Sequence, residues 1–193
     1  MIDVKLYDQS LEEELKDFCK RINIPSWQFE RLNLDKIKYF CAIYKNKIIS
    51  INGVRKLDDI EWAAYTRLAT DPDFYKLITI NRAKGSLCTI YCGSSIPLRY
   101  LSKPSIQYCL DNGAKRLVCY VKIKDEEGVN NAKNRKHYFK LADVGLLDYD
   151  GIHEINGWRQ DKFILNHEKI IEHVDEGWRV TKFEFKEMKD ESK

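Results

Sequence analysis

The sequence predicts an α/β domain: a mixed, mostly antiparallel central sheet flanked by helices. Three observations carry this. Two β-rich runs, Lys38 to Tyr44 and Ile48 to Leu57, are joined by Lys45-Asn46-Lys47, where Asn46 can take the positive φ of a tight turn. A third run, Ile60 to Ala69, follows after Asp58-Asp59 and makes an antiparallel meander. Then Arg116-Leu117-Val118-Cys119-Tyr120-Val121 reads as a strand covered on both faces, with a helix leading in to Asn112-Gly113 and another leading out.

The elements follow in order. Ile2 to Tyr7 alternates like a half-buried strand. Ser10 offers an N-cap, Glu12, Glu13 and Glu14 suit the first turn, and Leu11, Leu15, Phe18, Cys19 and Ile22 share one helix face. Pro25-Ser26 opens a short helix, Trp27 to Leu32. Gly53 interrupts the second meander strand and suggests a bulge. Asp71-Pro72 ends the third strand; Phe74 to Arg82 fits helix or strand, and Leu87 to Tyr91 looks extended.

Pro97 and Pro104 cannot both lie in one undisturbed helix. Either Pro97 takes the first turn and Pro104 kinks the helix, or the helix starts at Ser102; the second is preferred. After the buried strand, a helix runs from Asn130 to about Ala142. Leu146 to Tyr149 and Trp158 to Leu165 are further strands, joined across Asp150-Gly151 and Asn156-Gly157. His167 to His173 is a short helix and Trp178 to Phe185 a last strand. One domain over residues 1–185 and a solvated charged tail, 186–193, are expected.

Composition narrows the function. A net charge of +3, from 33 basic and 30 acidic residues, is too small to argue for nucleic acid. No apolar run approaches the ~20 residues of a membrane helix. The N-terminal stretch, with Asp3 and Asp8, lacks the basic-then-apolar build of a signal peptide, so a cytoplasmic location is expected. Most of the six cysteines sit in apolar patterns, as buried reduced thiols; Cys88 and Cys92 alone have a suggestive spacing, with no histidine near. The four histidines show no metal spacing, and His137 falls on a different helix face from its neighbour Tyr138. Lys133, Arg135, Lys136 and Lys140 read as a solvated basic face. The 23 Lys against 10 Arg point to AT-rich coding DNA, as in a low-GC bacterium or a phage.

From about Ile2 to Leu165, the order strand, helix, helix, meander, helix, strand, helix, strands resembles the Gcn5-related N-acetyltransferase (GNAT) family. The best local match is Asn131, seven residues before Tyr138, followed by Phe139-Lys140-Leu141; the family's Gly-Phe after this point is Ala142-Asp143 here. The resemblance implies transfer of an acetyl group from acetyl-coenzyme A to an amine of a small molecule or protein. It makes Tyr138 the acid that protonates the departing thiolate, with a phenol pKa near ~10 suited to that role.

The same resemblance makes Glu61, at the start of the third meander strand, the candidate general base. It places the cofactor in the splay between Ile60–Ala69 and Arg116–Val121, against Leu68, Ala69 and Asn131. Gly93-Ser94-Ser95 is the counterpart of the loop whose amides hold the pyrophosphate, with Ile90 where the family carries Arg or Gln. Arg82 with Gly85 is an alternative that keeps the Arg, and Arg67 in mid-strand offers an anion partner or a plain exposed position. A competing expectation is a protein of phage origin that keeps the fold, has lost the cofactor loop and acts as a binding or structural module.

Overall fold

The computed structural model of the chain describes residues 2–23, 28–82, 96–124 and 132–185. In chain order these form β1 (Asp3–Leu6), α1 (Glu12–Ile22), β2 (Lys38–Tyr44), β3 (Lys47–Lys56), β4 (Glu61–Thr70), β5 (Ile78–Arg82), α2 (Ile96–Asp111), β6 (Arg116–Lys122), α3 (Ala132–Asp143), β7 (Leu147–Ile155), β8 (Trp158–Leu165), α4 (His167–Val180) and β9 (Thr181–Phe185). Seven strands make one sheet in the order β1-β2-β3-β4-β6-β8-β7. Neighbours are antiparallel except β4 and β6, which run parallel. This is the expected mixed, mostly antiparallel sheet flanked by helices.

Both faces are covered. α1 buries Leu15, Phe18 and Ile22 against Tyr39, Cys41, Ile48 and Ile51 on one face. On the other, α2, α3 and α4 bury Leu101, Ile106, Leu141 and Ile170 against Phe40, Leu117, Cys119 and Phe163. The meander turn has Lys45 and Asn46 at φ 47° and 61°, the paired positive angles of a tight hairpin. The bulge expected at Gly53 is there: the β3–β4 register shifts between Gly53 and Arg55.

Several boundaries differ from the sequence reading. Ser10 does not cap α1. Asp8 accepts from the Ser10 amide at 2.8 Å, a 3-10 turn covers Gln9–Leu11, and α1 begins at Glu12. Of Trp27 to Leu32, the described part holds only a 3-10 turn, Phe29–Arg31. Phe74 to Arg82 is divided between a 3-10 helix, Pro72–Leu77, and β5.

The helix expected from Ser102 begins instead at Ile96, with Pro104 inside it. Pro97 falls among first-turn amides that have no intrahelical partner and removes nothing. The bond lost at Pro104 is offset by full burial of Leu101, Ile106 and Cys109 around it. Asp150-Gly151 does not end a strand; β7 runs through it with a register shift between Tyr149 and Ile152. The last helix extends to Val180, taking in Trp178, and β9 pairs with β5 as a separate two-stranded sheet. Leu87 to Tyr91, Cys88, Cys92 and 186–193 lie outside the described residues.

Candidate active site

The parallel pair at mid-sheet organises the site. Glu61 lies opposite Arg116, Trp62 opposite Leu117, Ala63 opposite Val118 and Tyr65 opposite Cys119. Ala64 is therefore an extra residue, a bulge that turns β4 where the pairing stops. Beyond Tyr65 the two strands share no paired residues: β4 goes on to Thr70 along β3, and β6 goes on to Lys122 along β8. The bulged Ala64 carbonyl accepts from the Asn52 side-chain amide at 2.9 Å, and the same amide donates to Ser105 Oγ at 2.9 Å on α2. Asn52 and Ser105 are fully buried, so this bond fixes the bulge to both sheet and helix.

A cavity opens on each face of the sheet at this point. On the α3 face, a narrow one of about 40 Å³ is lined by Tyr65, Leu68, Cys119, His137, Tyr138 and Leu141. On the opposite face, one of about 350 Å³ is lined by Arg55, Ala63, Tyr65, Tyr120, Lys122 and Trp158, among others. Cys119 and Tyr120 are adjacent on β6 and point to opposite faces, as strand geometry demands. Tyr65 lines both cavities.

Tyr138 stands in the narrow cavity with its ring 5.7 Å from Phe163 and 5.9 Å from His137. Burial, and to a lesser degree Cys119 and Tyr65, push its phenol pKa up, so it keeps its proton throughout the neutral range. His137 shares this cavity rather than facing elsewhere, and burial with Lys140 nearby pulls its imidazole down.

Glu61 lies on the other face. Its carboxylate accepts from the Tyr120 hydroxyl at 3.2 Å and from Lys162 Nζ at 2.9 Å, with Arg116 at 3.8 Å. Lys162 also meets Asp150 at 3.2 Å. Burial pulls the Lys162 ammonium down, but its bonds to Glu61 and Asp150 outweigh this and its pKa is raised. The Tyr120 phenol is raised by burial and then by the charge of Glu61. Glu61 and Tyr65 are four residues apart, about 13 Å of strand rise. Glu61 and Tyr138 thus do not converge directly; Tyr120, Tyr65 and the bulge lie between them.

Of the other expected site residues, Leu68 lines the Tyr138 cavity, whereas Ala69 packs into the α1-side core. Gly93, Ser94, Ser95 and Asn131, with the alternative Gly85, lie outside the described residues; Arg82 is described as the end of β5. Sequence reading missed Tyr65, Tyr120, Arg55 and Asn52. Asn52 and Arg55 had a signal, as polar residues inside an otherwise apolar strand; Tyr65 and Tyr120 read as ordinary strand aromatics. Among the described residues no group of three or more His, Cys, Asp and Glu could hold a metal ion. No described helix is long and apolar enough to cross a membrane.

A sheet of this order, mostly antiparallel and parted at one parallel pair between helical layers, is the fold of the GNAT acetyltransferases. Solved structures match it over most of their length. An N-acetyltransferase from Staphylococcus aureus Mu50 aligns at a TM-score of 0.54 and 11% identity, covering 87% of this chain and 99% of the other. An acetyltransferase assigned to the GNAT family from Desulfovibrio desulfuricans gives 0.55 and 8%, covering 86% and 99%. A Bacillus subtilis acetyltransferase in complex with CoA gives 0.50 and 13%, covering 86% and 98%. No protein-family model matches the sequence, and no curated protein matches it.

Proposed function

We propose that this chain transfers an acyl group, acetyl in the simplest case, from coenzyme A to an amine by direct attack. The observation that carries the reading is Tyr65, shared by two cavities on opposite sheet faces at the point where β4 and β6 part. Two reactants entering from opposite sides would meet there, and holding them in line supplies much of the rate gain.

The residues present fit the thioester end of acyl-coenzyme A. The narrow cavity is walled by Leu68, Cys119 and Leu141, which suit an apolar arm. Among the described residues the β4 edge past Tyr65 has no partner on the β6 side. The phosphate end would fall to Gly93-Ser94-Ser95, outside the described residues. Bound there, the cofactor supplies an activated acyl carbon and a thiol leaving group. Tyr138 holds a proton at its Oη on that side. On the other side, Tyr120 passes a proton from the amine to the Glu61 carboxylate, its hydrogen-bond acceptor. Glu61 thereby acts through Tyr120, and Lys162 keeps the carboxylate oriented.

Isothermal titration with acetyl-coenzyme A tests the reading. Micromolar binding, followed by thiol release when amines are added, is expected. No binding at millimolar cofactor would sink the enzyme and leave the binding-module reading standing.

A further inference from the structure

The larger cavity has a charge character that points to its occupant. Its volume, about 350 Å³, sits at the small end of ligand sites and suits a small molecule rather than a folded partner. Among the described residues two cations line it, Arg55 and Lys122, together with the amides Asn33, Asn156 and Gln160, and no carboxylate does. Lys122 Nζ lies 4.2 Å over the Trp158 ring and is engaged there.

Arg55 is different. Its Nε is buried and has no hydrogen-bond partner, and no ion pair to Arg55 is formed among the described residues. The carboxylate two residues before its cross-strand neighbour Ala63 is Glu61, already held by Tyr120 and Lys162. A buried guanidinium N–H without an acceptor is costly, and a planar fork of donors matches a carboxylate.

We infer that the larger cavity takes a small amine that carries a carboxylate, bound by Arg55 with its amine directed to Tyr65 and Tyr120. The inference rests on the acyl-transfer reading and names its acceptor class. Among the described residues Arg55 is the one free guanidinium on this wall, and it balances a single negative charge. A phosphate dianion would call on a second cation, and Lys122 is stacked on Trp158. Polycationic amines meet Arg55 and Lys122, with no carboxylate among the described residues of the wall to receive them.

The test uses matched pairs: glycine with methylamine, L-phenylalanine with phenethylamine, L-tyrosine with tyramine, and L-histidine with histamine. Phosphoethanolamine and spermidine complete the panel. For at least one pair, the carboxylated member should be acetylated about 100-fold more efficiently in kcat/KM. That ratio should collapse in Arg55→Met and partly survive in Arg55→Lys, with circular dichroism confirming that both variants fold. Independently of any cofactor, the preferred amino acid should shift the Trp158 indole N–H resonance in wild type and not in Arg55→Met.

Preference for the decarboxylated member, for phosphoethanolamine or for spermidine would overturn the assignment. So would a ratio unmoved by Arg55→Met, or an indole resonance that no carboxylated probe shifts. Failure of acyl transfer separates from this outcome. Carboxylate binding lost with Arg55 but no acetyl-coenzyme A binding would remove the enzyme and keep the anion site. Cofactor binding with turnover indifferent to the carboxylate would do the reverse.

Discussion

The Tyr120 hydroxyl donates to one oxygen of Glu61 at 3.2 Å while Lys162 holds the other at 2.9 Å. Tyr120 also lines the larger cavity, so it joins a buried carboxylate to the place where an amine would sit. Glu61→Gln and Tyr120→Phe should each lower kcat by about 100-fold, the lower range for a general-base role, at unchanged cofactor affinity. Steady-state kinetics across pH checks this. Equal rates in wild type and Tyr120→Phe would remove the relay.

In the proposed mechanism Tyr138 is the corresponding donor on the other face. Tyr138→Phe keeps the ring contacts with Phe163 and His137 and deletes only the hydroxyl. Turnover should fall about 100-fold while the acetyl-coenzyme A dissociation constant stays within error. A rate carried instead by the neighbouring His137 would show as an unchanged kcat in Tyr138→Phe and a loss in His137→Gln.

How much of this was legible beforehand follows from which interactions are local. The meander, the buried strand β6 and the helix bearing Tyr138 are written in short-range periodicity and turn chemistry, and each was readable. Helix ends were less so. Pro104 argues against a helix locally, yet α2 continues through it because Leu101, Ile106 and Cys109 are buried on distant strands. The site was readable only in part. Tyr138 and Glu61 stand out in the sequence only as candidates, and their separation on opposite faces depends on the Ala64 bulge, which has no sequence mark. Arg55 became informative only through what surrounds it.

Alkali should destabilise the fold. Burial pushes the Cys41 and Cys109 thiols from 9.0 up to about 12, and Lys162 is also raised. A folded-state pKa above the unfolded one gives stability that is intact below the unfolded value and lost as pH rises through the folded one. For the two thiols the window is therefore about pH 9 to 12, at up to about 1.4 kcal/mol per pH unit for each thiol, and the Lys162 contribution is lost only above pH 10.5. Urea melts at pH 8 and pH 10.5 should show a clear drop in midpoint. A flat profile would mean these thiols are not sequestered.

Gly53 packs against Ile37 and Thr66, which line the larger cavity. A Cβ there would meet Ile37 Cγ2 at 2.7 Å, Thr66 Cγ2 at 3.0 Å and Tyr39 Cε1 at 3.1 Å. Ile37 and Tyr39 are buried, so neither has room to yield. Gly53→Ala should cost about 1–3 kcal/mol, or roughly 2–12 °C in Tm for a chain of this size. Ile37 and Thr66 line the cavity, so the KM for the amine should rise as well. Thermal melts and kinetics on the same variant check both.

Arg135, by sequence part of a solvated basic face, grips the fully buried Asp161 through Nε at 2.5 Å and Nη2 at 3.2 Å. Tyr149 donates to the same carboxylate at 3.2 Å. The pair fastens α3, and with it Tyr138, to β8. Its two halves are unequal: the Arg135 side chain keeps 27% exposure and can rehydrate, while Asp161 cannot. Arg135→Met should therefore cost about 3–5 kcal/mol by stranding a buried charge. Asp161→Leu should cost less. The double variant, with both charges gone, should recover most of the loss of Arg135→Met, because apolar replacement of a buried pair is often close to neutral. Denaturant melts of the four proteins close the cycle. If the double variant is as unstable as Arg135→Met, the pair is fixing α3 by geometry and not by charge balance alone.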